Sequence, residues 1–285
     1  MKHNHLKRVA AIHDLSGFGK CSLTVALPIL SAAGIETSAL PTAILSTHTG
    51  GFDGYTYLDT TGEMRPFTQH WKSLDLRFDA IYSGFLGSFE QLQIVKEFFD
   101  AFRQSDNLIL VDPVMADNGE LYKIFTPAFA LGMKSLCEKA DIIVPNITEA
   151  VLLLGESYQP GPYTQTYIEG LLKRLSQLGP RQIVLTGVYF TEAELGAATY
   201  DRTSGQTDYS FVPQIPGYYH GTGDVFASAL LAALMNGFPL HESAAIAVRY
   251  TAGSIQRTYE AATDIRFGVN FEQGFPALLK ELRLV

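Results

Sequence analysis

Gly221-Thr222-Gly223-Asp224 runs directly into an apolar helical stretch, Val225 to Met235. Glycine lets a backbone approach a ligand closely and leaves the first N–H groups of a helix free to point at it. Those N–H groups, with the helix dipole, attract an anion, typically a phosphate. A carboxylate beside a phosphate site makes sense if it takes the proton of an alcohol attacking that phosphate. The competing reading is a helix cap, since Asp is common at helix starts.

Other polar residues follow short apolar runs. They are Asp14 and Ser16; Ser46, His48 and Thr49; Ser83 and Gly84; Asp112; Asn146 and Glu149; Thr186 and Gly187. In open α/β sheets, ligands bind beyond the carboxyl ends of the strands, so these are candidate site residues. The alternative is that they are turn formers and caps. Asp112 ends a buried-strand type of run, where an unpaired charge is costly, so it should meet a cation, a metal-bound water or backbone donors. Glu149 is placed to order Mg²⁺ through water, or simply to supply an acidic first helical turn. Ser46-Thr-His-Thr-Gly-Gly51 can surround a polar heteroaromatic or hydroxylated substrate, and His48 suits substrate contact better than catalysis. Asp14 to Lys20 fails as a P-loop, because Asp14 and Cys21 stand where Gly and Ser/Thr are needed. A tight strand-to-helix turn is expected there.

These residues need a scaffold, and strand-like and helix-like segments alternate along the chain. Strands are expected at 9–13, 37–45 (with a bulge or edge at Pro41), 78–82, 108–111, 142–144 and 182–185. Helices are expected at 23–33, 89–103, 125–139, 148–154, 167–178 and 242–257, and a hairpin from 197–200 and 209–212. Repeated β-α alternation implies a largely parallel sheet covered on both faces, in one domain over 1–285. The 285 residues are 47% hydrophobic and 18% charged, an ordinary globular balance. A net charge of -8 without a dense basic cluster argues against nucleic acid. Cys21 and Cys137 form no C-x-x-C pair and read as thiols in a reducing compartment. No signal peptide or membrane span is expected, which makes the cytoplasm the default.

In order across nearly the whole chain, Ser46-Thr-His-Thr-Gly, Tyr82-Ser-Gly-Phe, Asp112-Pro-Val-Met, Gly119-Glu-Leu-Tyr122, Pro145-Asn-Ile-Thr-Glu and Gly221-Thr-Gly-Asp resemble the ribokinase-like superfamily. Within it they resemble the pyridoxal (vitamin B6) kinases. The resemblance implies a three-layer α-β-α sandwich, usually a homodimer. It implies ATP-dependent phosphorylation of the 5′-hydroxymethyl group of a B6 vitamer, with Mg²⁺ and, as an option, K⁺. It makes Asp224 the catalytic base and Gly221, Thr222 and Gly223 the anion hole. Thr49, Ser46 and His48 line the vitamer pocket, and Phe85 stands where the family commonly has Tyr. Asp112, Asn146 and Glu149 belong to the phosphate and Mg²⁺ region, Asp112 and Glu149 as the metal residues. Thr186 lies near the nucleotide phosphates and Tyr122 in a mobile loop over them. Asp14-Leu-Ser-Gly is closer to the D-x-S-G turn of hydroxymethylpyrimidine kinases, so that activity is the alternative. Asp14 as a substrate contact would favour an amine such as pyridoxamine. A nucleotide-dependent NAD(P)H-hydrate dehydratase also carries G-x-G-D, but Ser46-Thr-His-Thr-Gly argues against it. A non-catalytic vitamer-binding protein would be expected to lack the base or the anion hole, and both are intact.

Overall fold

The structure, a computed structural model, describes residues 6–285. Its elements run β1 (Arg8–Phe18), α1 (Leu23–Ala32), β2 (Glu36–Thr47), β3 (Tyr57–Asp59), α2 (Thr61–Ser73), β4 (Ala80–Ser83), α3 (Phe89–Phe102), β5 (Leu108–Val111), β6 (Ala116–Asp117) and β7 (Glu120–Leu121). They continue with α4 (Pro127–Cys137), β8 (Ile142–Ile143), α5 (Ile147–Leu154), α6 (Gln165–Ser176), β9 (Gln182–Val188), β10 (Glu194–Asp201), β11 (Gln206–Pro213), α7 (Thr222–Met235), α8 (Leu240–Glu260) and α9 (Phe275–Glu281).

The main sheet has the order β11-β10-β9-β8-β5-β4-β1-β2-β3. Every pairing from β9 through β2 is parallel, while β10, β11 and β3 extend the two edges antiparallel. Its central strands are buried on both faces, which explains their unbroken apolar runs such as Val9 to Ile12. Alternate residues face opposite layers. Ala10, Ile12, Ile81 and Val111 pack with α2 to α6, whereas Val9, Tyr82, Leu110 and Val184 pack with α1 and α7 to α9. The result is the expected three-layer α-β-α sandwich.

Two local departures bear on the site. The first strand does not stop at His13. It continues to Phe18 because Leu15 to Phe18 pair with Ile44 to Thr47 across a register shift. Asp14 and Ser16 therefore lie within the strand, and the turn is confined to 19–22. The shift falls where His13 faces Pro41, so Pro41 sits at a bulge. The segment 57–73 also forms β3 and α2, which the apolar pattern does not announce: β3 is exposed throughout and α2 buries Met64 alone.

Candidate active site

Gly221 caps α7 in the left-handed conformation, φ 75°. A Cβ there would lie 2.0 Å from the Lys20 carbonyl oxygen, so only glycine lets the β1–α1 turn close on this helix. Asp224 is thus in the first turn of α7 rather than at its cap, and the Ser22 backbone N–H reaches its carboxylate. Burial, with a smaller push from the Asp14 charge, raises its pKa to about 7.

A cavity of about 440 Å³ opens at the carboxyl ends of β5, β8 and β9. It brings together Gly221, Thr222, Gly223 and Asp224 with Asp112, Asn146, Glu149, Thr186 and Tyr122. Its far end is apolar, with Leu195, Val212, Val248 and Ile255. No Lys or Arg is among its described lining residues. Burial and the charges of Glu149 and Asp224 push the Asp112 pKa well above the usual carboxylate range.

Asn146 and Glu149 serve two purposes. Asn146 Oδ1 accepts from the Glu149 N–H (2.9 Å) and Glu149 Oε2 from the Asn146 N–H (2.9 Å), a reciprocal capping box on α5. Glu149 Oε1 also accepts from Met115 N (3.1 Å), and Asn146 Nδ2 donates to Ala116 O (2.8 Å). The start of α5 therefore anchors the β6–β7 ribbon over the cavity. Burial raises the Glu149 pKa to about 8, partly offset by those backbone N–H groups. The cap reading of these residues is realised, and both also line the cavity.

Of the remaining predicted residues, Asp14 and His48 lie close enough for their charges to interact beside Asp224, Ser46 and Thr49 flank His48 in the chain, and Phe85 packs elsewhere. Asp14 is buried, and its two oxygens accept from Ser22 Oγ (2.5 Å) and Ser16 Oγ (3.0 Å). Its charge acts on His48, Tyr57 and Asp224. His48 Nδ1 accepts from Gly50 N (3.0 Å), so Nε2 carries the proton and donates to Arg266 O (2.6 Å). Both ring nitrogens are thus engaged by backbone, and the buried ring packs beside Phe52 (5.0 Å) and His220 (5.3 Å). Ser46 Oγ accepts from Thr56 N (2.9 Å), and Thr49 is exposed at the rim. Phe85 is half-buried with its ring 5.8 Å from that of Phe125.

Two residues that the sequence pattern does not single out, Tyr218 and His220, also line the cavity. Tyr218 Oη donates to Asp117 Oδ2 (3.0 Å), tying the ribbon to the segment before α7. The His220 ring lies 5.2 Å from Tyr218 and 5.3 Å from His48. His220 adjoins Gly221 in sequence, a signal that was available; the Asp117–Tyr218 pair, 101 residues apart, depends on the folded ribbon.

Asp112 fits a divalent cation. It is buried, no side chain of the described residues hydrogen-bonds it, and no cationic side chain lines the cavity. The described residues hold no cluster of three or more His, Cys, Asp or Glu poised for a metal. Asp112, within reach of the Glu149 charge, would fit Mg²⁺, which takes one or two carboxylates and completes its shell with water and phosphate.

The sequence profile described as phosphomethylpyrimidine kinase matches residues 29–267. The chain belongs to this family. It is a kinase of the pyridoxal/phosphomethylpyrimidine kinase type, with the ribokinase-like fold. A Bacteroides thetaiotaomicron protein provisionally assigned as a phosphomethylpyrimidine kinase, solved with pyridoxal, is 39% identical, with 96% of each chain covered and a TM-score of 0.92. Pyridoxal kinase from Lactobacillus plantarum is 33% identical over 97% of this chain and 98% of its own, with a TM-score of 0.89. The thiamine biosynthesis bifunctional protein of Geobacter sulfurreducens is 30% identical over 184 residues, 64% of this chain but 36% of that protein. No helix of the described residues is long and apolar enough to cross a membrane.

Proposed function

We propose that this family member transfers the γ-phosphoryl group of ATP to the 5′-hydroxymethyl group of a vitamin B6 vitamer. The observation that carries the reaction is the position of Asp224. It faces the cavity at the N-terminus of α7 and is coupled by charge to Asp14 in the adjoining polar cluster. The 39%-identical relative solved with pyridoxal supports the substrate class.

Asp224 accepts the proton of the attacking hydroxyl. The alcohol oxygen bonds to the γ-phosphorus as the bridging bond to the β-phosphate breaks, and its electron pair leaves with ADP. Gly221, Thr222 and Gly223 present the free N–H groups of α7 to the phosphoryl oxygens. Asp112, with Glu149 beside it, would hold Mg²⁺, which neutralises phosphate charge. Thr186 and Tyr122 border the phosphates, and the apolar end of the cavity takes adenine. Asp14, Ser46, His48, Thr49 and Phe85 form the vitamer side. Exposed Tyr57 and Leu58 on edge strand β3 support a homodimer, and a cytoplasmic location belongs to the same reading.

The second reading, hydroxymethylpyrimidine as the alcohol, is favoured by the likeness to a hydroxymethylpyrimidine/phosphomethylpyrimidine kinase of Bacillus subtilis, 26% identical over 65% of this chain and 66% of that protein. One experiment separates the two: ADP release with pyridoxal, pyridoxamine, pyridoxine and hydroxymethylpyrimidine, with Mg²⁺ and with or without K⁺. The highest kcat/KM should fall on a B6 vitamer. A higher value for hydroxymethylpyrimidine replaces the first reading with the second, and no ADP with any alcohol rejects both.

A further inference from the structure

The phosphate cavity is lined by Asp112, Asp117, Glu149 and Asp224 and by no Lys or Arg. A nucleotide adds several more negative charges. Among the described lining side chains, His220 alone can become a cation. It is half-buried and directly precedes the Gly221 cap of α7. Its ring nitrogens make no hydrogen bond within the described residues. Its neighbours are rings, Tyr218 on one side and His48 on the other. A Cβ on Gly50 would come within 2.6 Å of the His220 ring, so the 46–51 loop closes tightly on it. One side chain therefore borders both the phosphate cavity and the vitamer loop. That is where a phosphoryl group must cross.

We propose that His220 is a further catalytic residue whose imidazolium N–H donates a hydrogen bond to the phosphoryl group in transit. This rests on the kinase reading above. No bond is made or broken at the ring, and its proton stays in place throughout the transfer. In the free protein, burial and then His48 lower its pKa, while Asp117 opposes them. The other groups around it are Tyr218, Arg266 (paired with Asp264) near Gly51, and Asp224 one turn further on. Arriving phosphates add to the pull of Asp117, so the ring takes up a proton as nucleotide binds.

The test has two readouts. In the wild-type protein, the histidine Cε1–H resonances are titrated with and without Mg²⁺ and the imido analogue of ATP. H220Q assigns the signal by its loss. The proton affinity of His220 should rise about tenfold or more with nucleotide. In turnover, H220Q and H220F should both lower kcat about 10²-fold, the range for a lost oxyanion donor, with far smaller changes in KM. The alkaline limb of the wild-type kcat profile should be absent in H220Q. A ring that only packs predicts near-normal kcat in H220F and an unmoved pH profile, and that result overturns the proposal. So does a titration indifferent to nucleotide. If the wild type turns over none of the alcohols, the kinase reading fails while the titration still decides whether His220 meets phosphate.

Discussion

On the phosphate side of the site, Asp112 is 6% exposed, lies close enough to Glu149 and Asp224 to be raised by their charges, and has no cationic side chain beside it. On the vitamer side, Asp14 is equally buried, yet two serine hydroxyls hold its oxygens, and backbone groups hold both nitrogens of His48. Buried charge without a partner is costly, so on the proposed reading a cation and phosphates would complete the first side. The second side is already satisfied and can discriminate by shape and by one buried charge. A phosphate side built this way would serve any alcohol, which agrees with relatives named for B6 and for hydroxymethylpyrimidine chemistry at similar identity, 25% and 26%.

The largest expected effect tests the junction of the two sides. Asp224→Asn should lower kcat by roughly 10²–10⁴, with KM moving far less. Wild-type kcat/KM should also fall on the acid side of about 7, as Asp224 of the free protein gains a proton and can no longer accept one. The same substitution should stabilise the fold. The folded pKa of Asp224 is raised above its unfolded value, so the ionised group costs stability above about 7 and that cost disappears as pH falls through it toward 4. Asn removes the cost at neutral pH. Discounted for a side chain that faces an open cavity, the gain is about 1 kcal/mol, or ~2–4 °C in Tm. A kcat near wild type removes Asp224 from the base role, and a lowered Tm contradicts the unpaired-charge account of this side.

Asp112→Asn asks whether the phosphate side is completed by a metal. It keeps the shape and removes the charge. The Mg²⁺ concentration for half-maximal activity should rise about 10- to 100-fold, with the rate largely restored at high Mg²⁺. An unchanged Mg²⁺ dependence moves the metal away from Asp112.

The same contrast explains what could be read from the sequence. Asp112, Asn146, Glu149, Thr186 and Asp224 were legible because parallel strands end at one edge and helices begin there. Their polar types stand out after apolar runs. Asp14 was legible by type but placed in a turn, since a strand continuing past a bulge depends on its partner's register. His48 was legible as a candidate by type, while the two backbone groups that engage its nitrogens come from Gly50 and from Arg266, 218 residues on. His220 was missed although it touches Gly221. Nothing in its local sequence marks a cavity without Lys or Arg, and only tertiary assembly makes one imidazole its sole basic side chain among the described residues.

Asp14→Ser gives the smallest effect and bears on the vitamer side alone. Burial raises the Asp14 pKa, and the Ser22 and Ser16 hydroxyls oppose that by favouring the charged form. Neither hydroxyl brings a positive charge, so a substrate ammonium would be the first cation to meet this carboxylate. Pyridoxamine carries one and pyridoxal does not. Both share the same reacting hydroxyl, so any change transmitted to Asp224 cancels in their ratio. A charge-assisted hydrogen bond contributes roughly 1.5–3 kcal/mol, and about 1.4 kcal/mol is already tenfold. The pyridoxamine-to-pyridoxal ratio of kcat/KM should therefore fall about tenfold or more in D14S. An unchanged ratio would mean that Asp14 serves only to hold Ser16 and Ser22, and that the vitamer side selects by shape without charge.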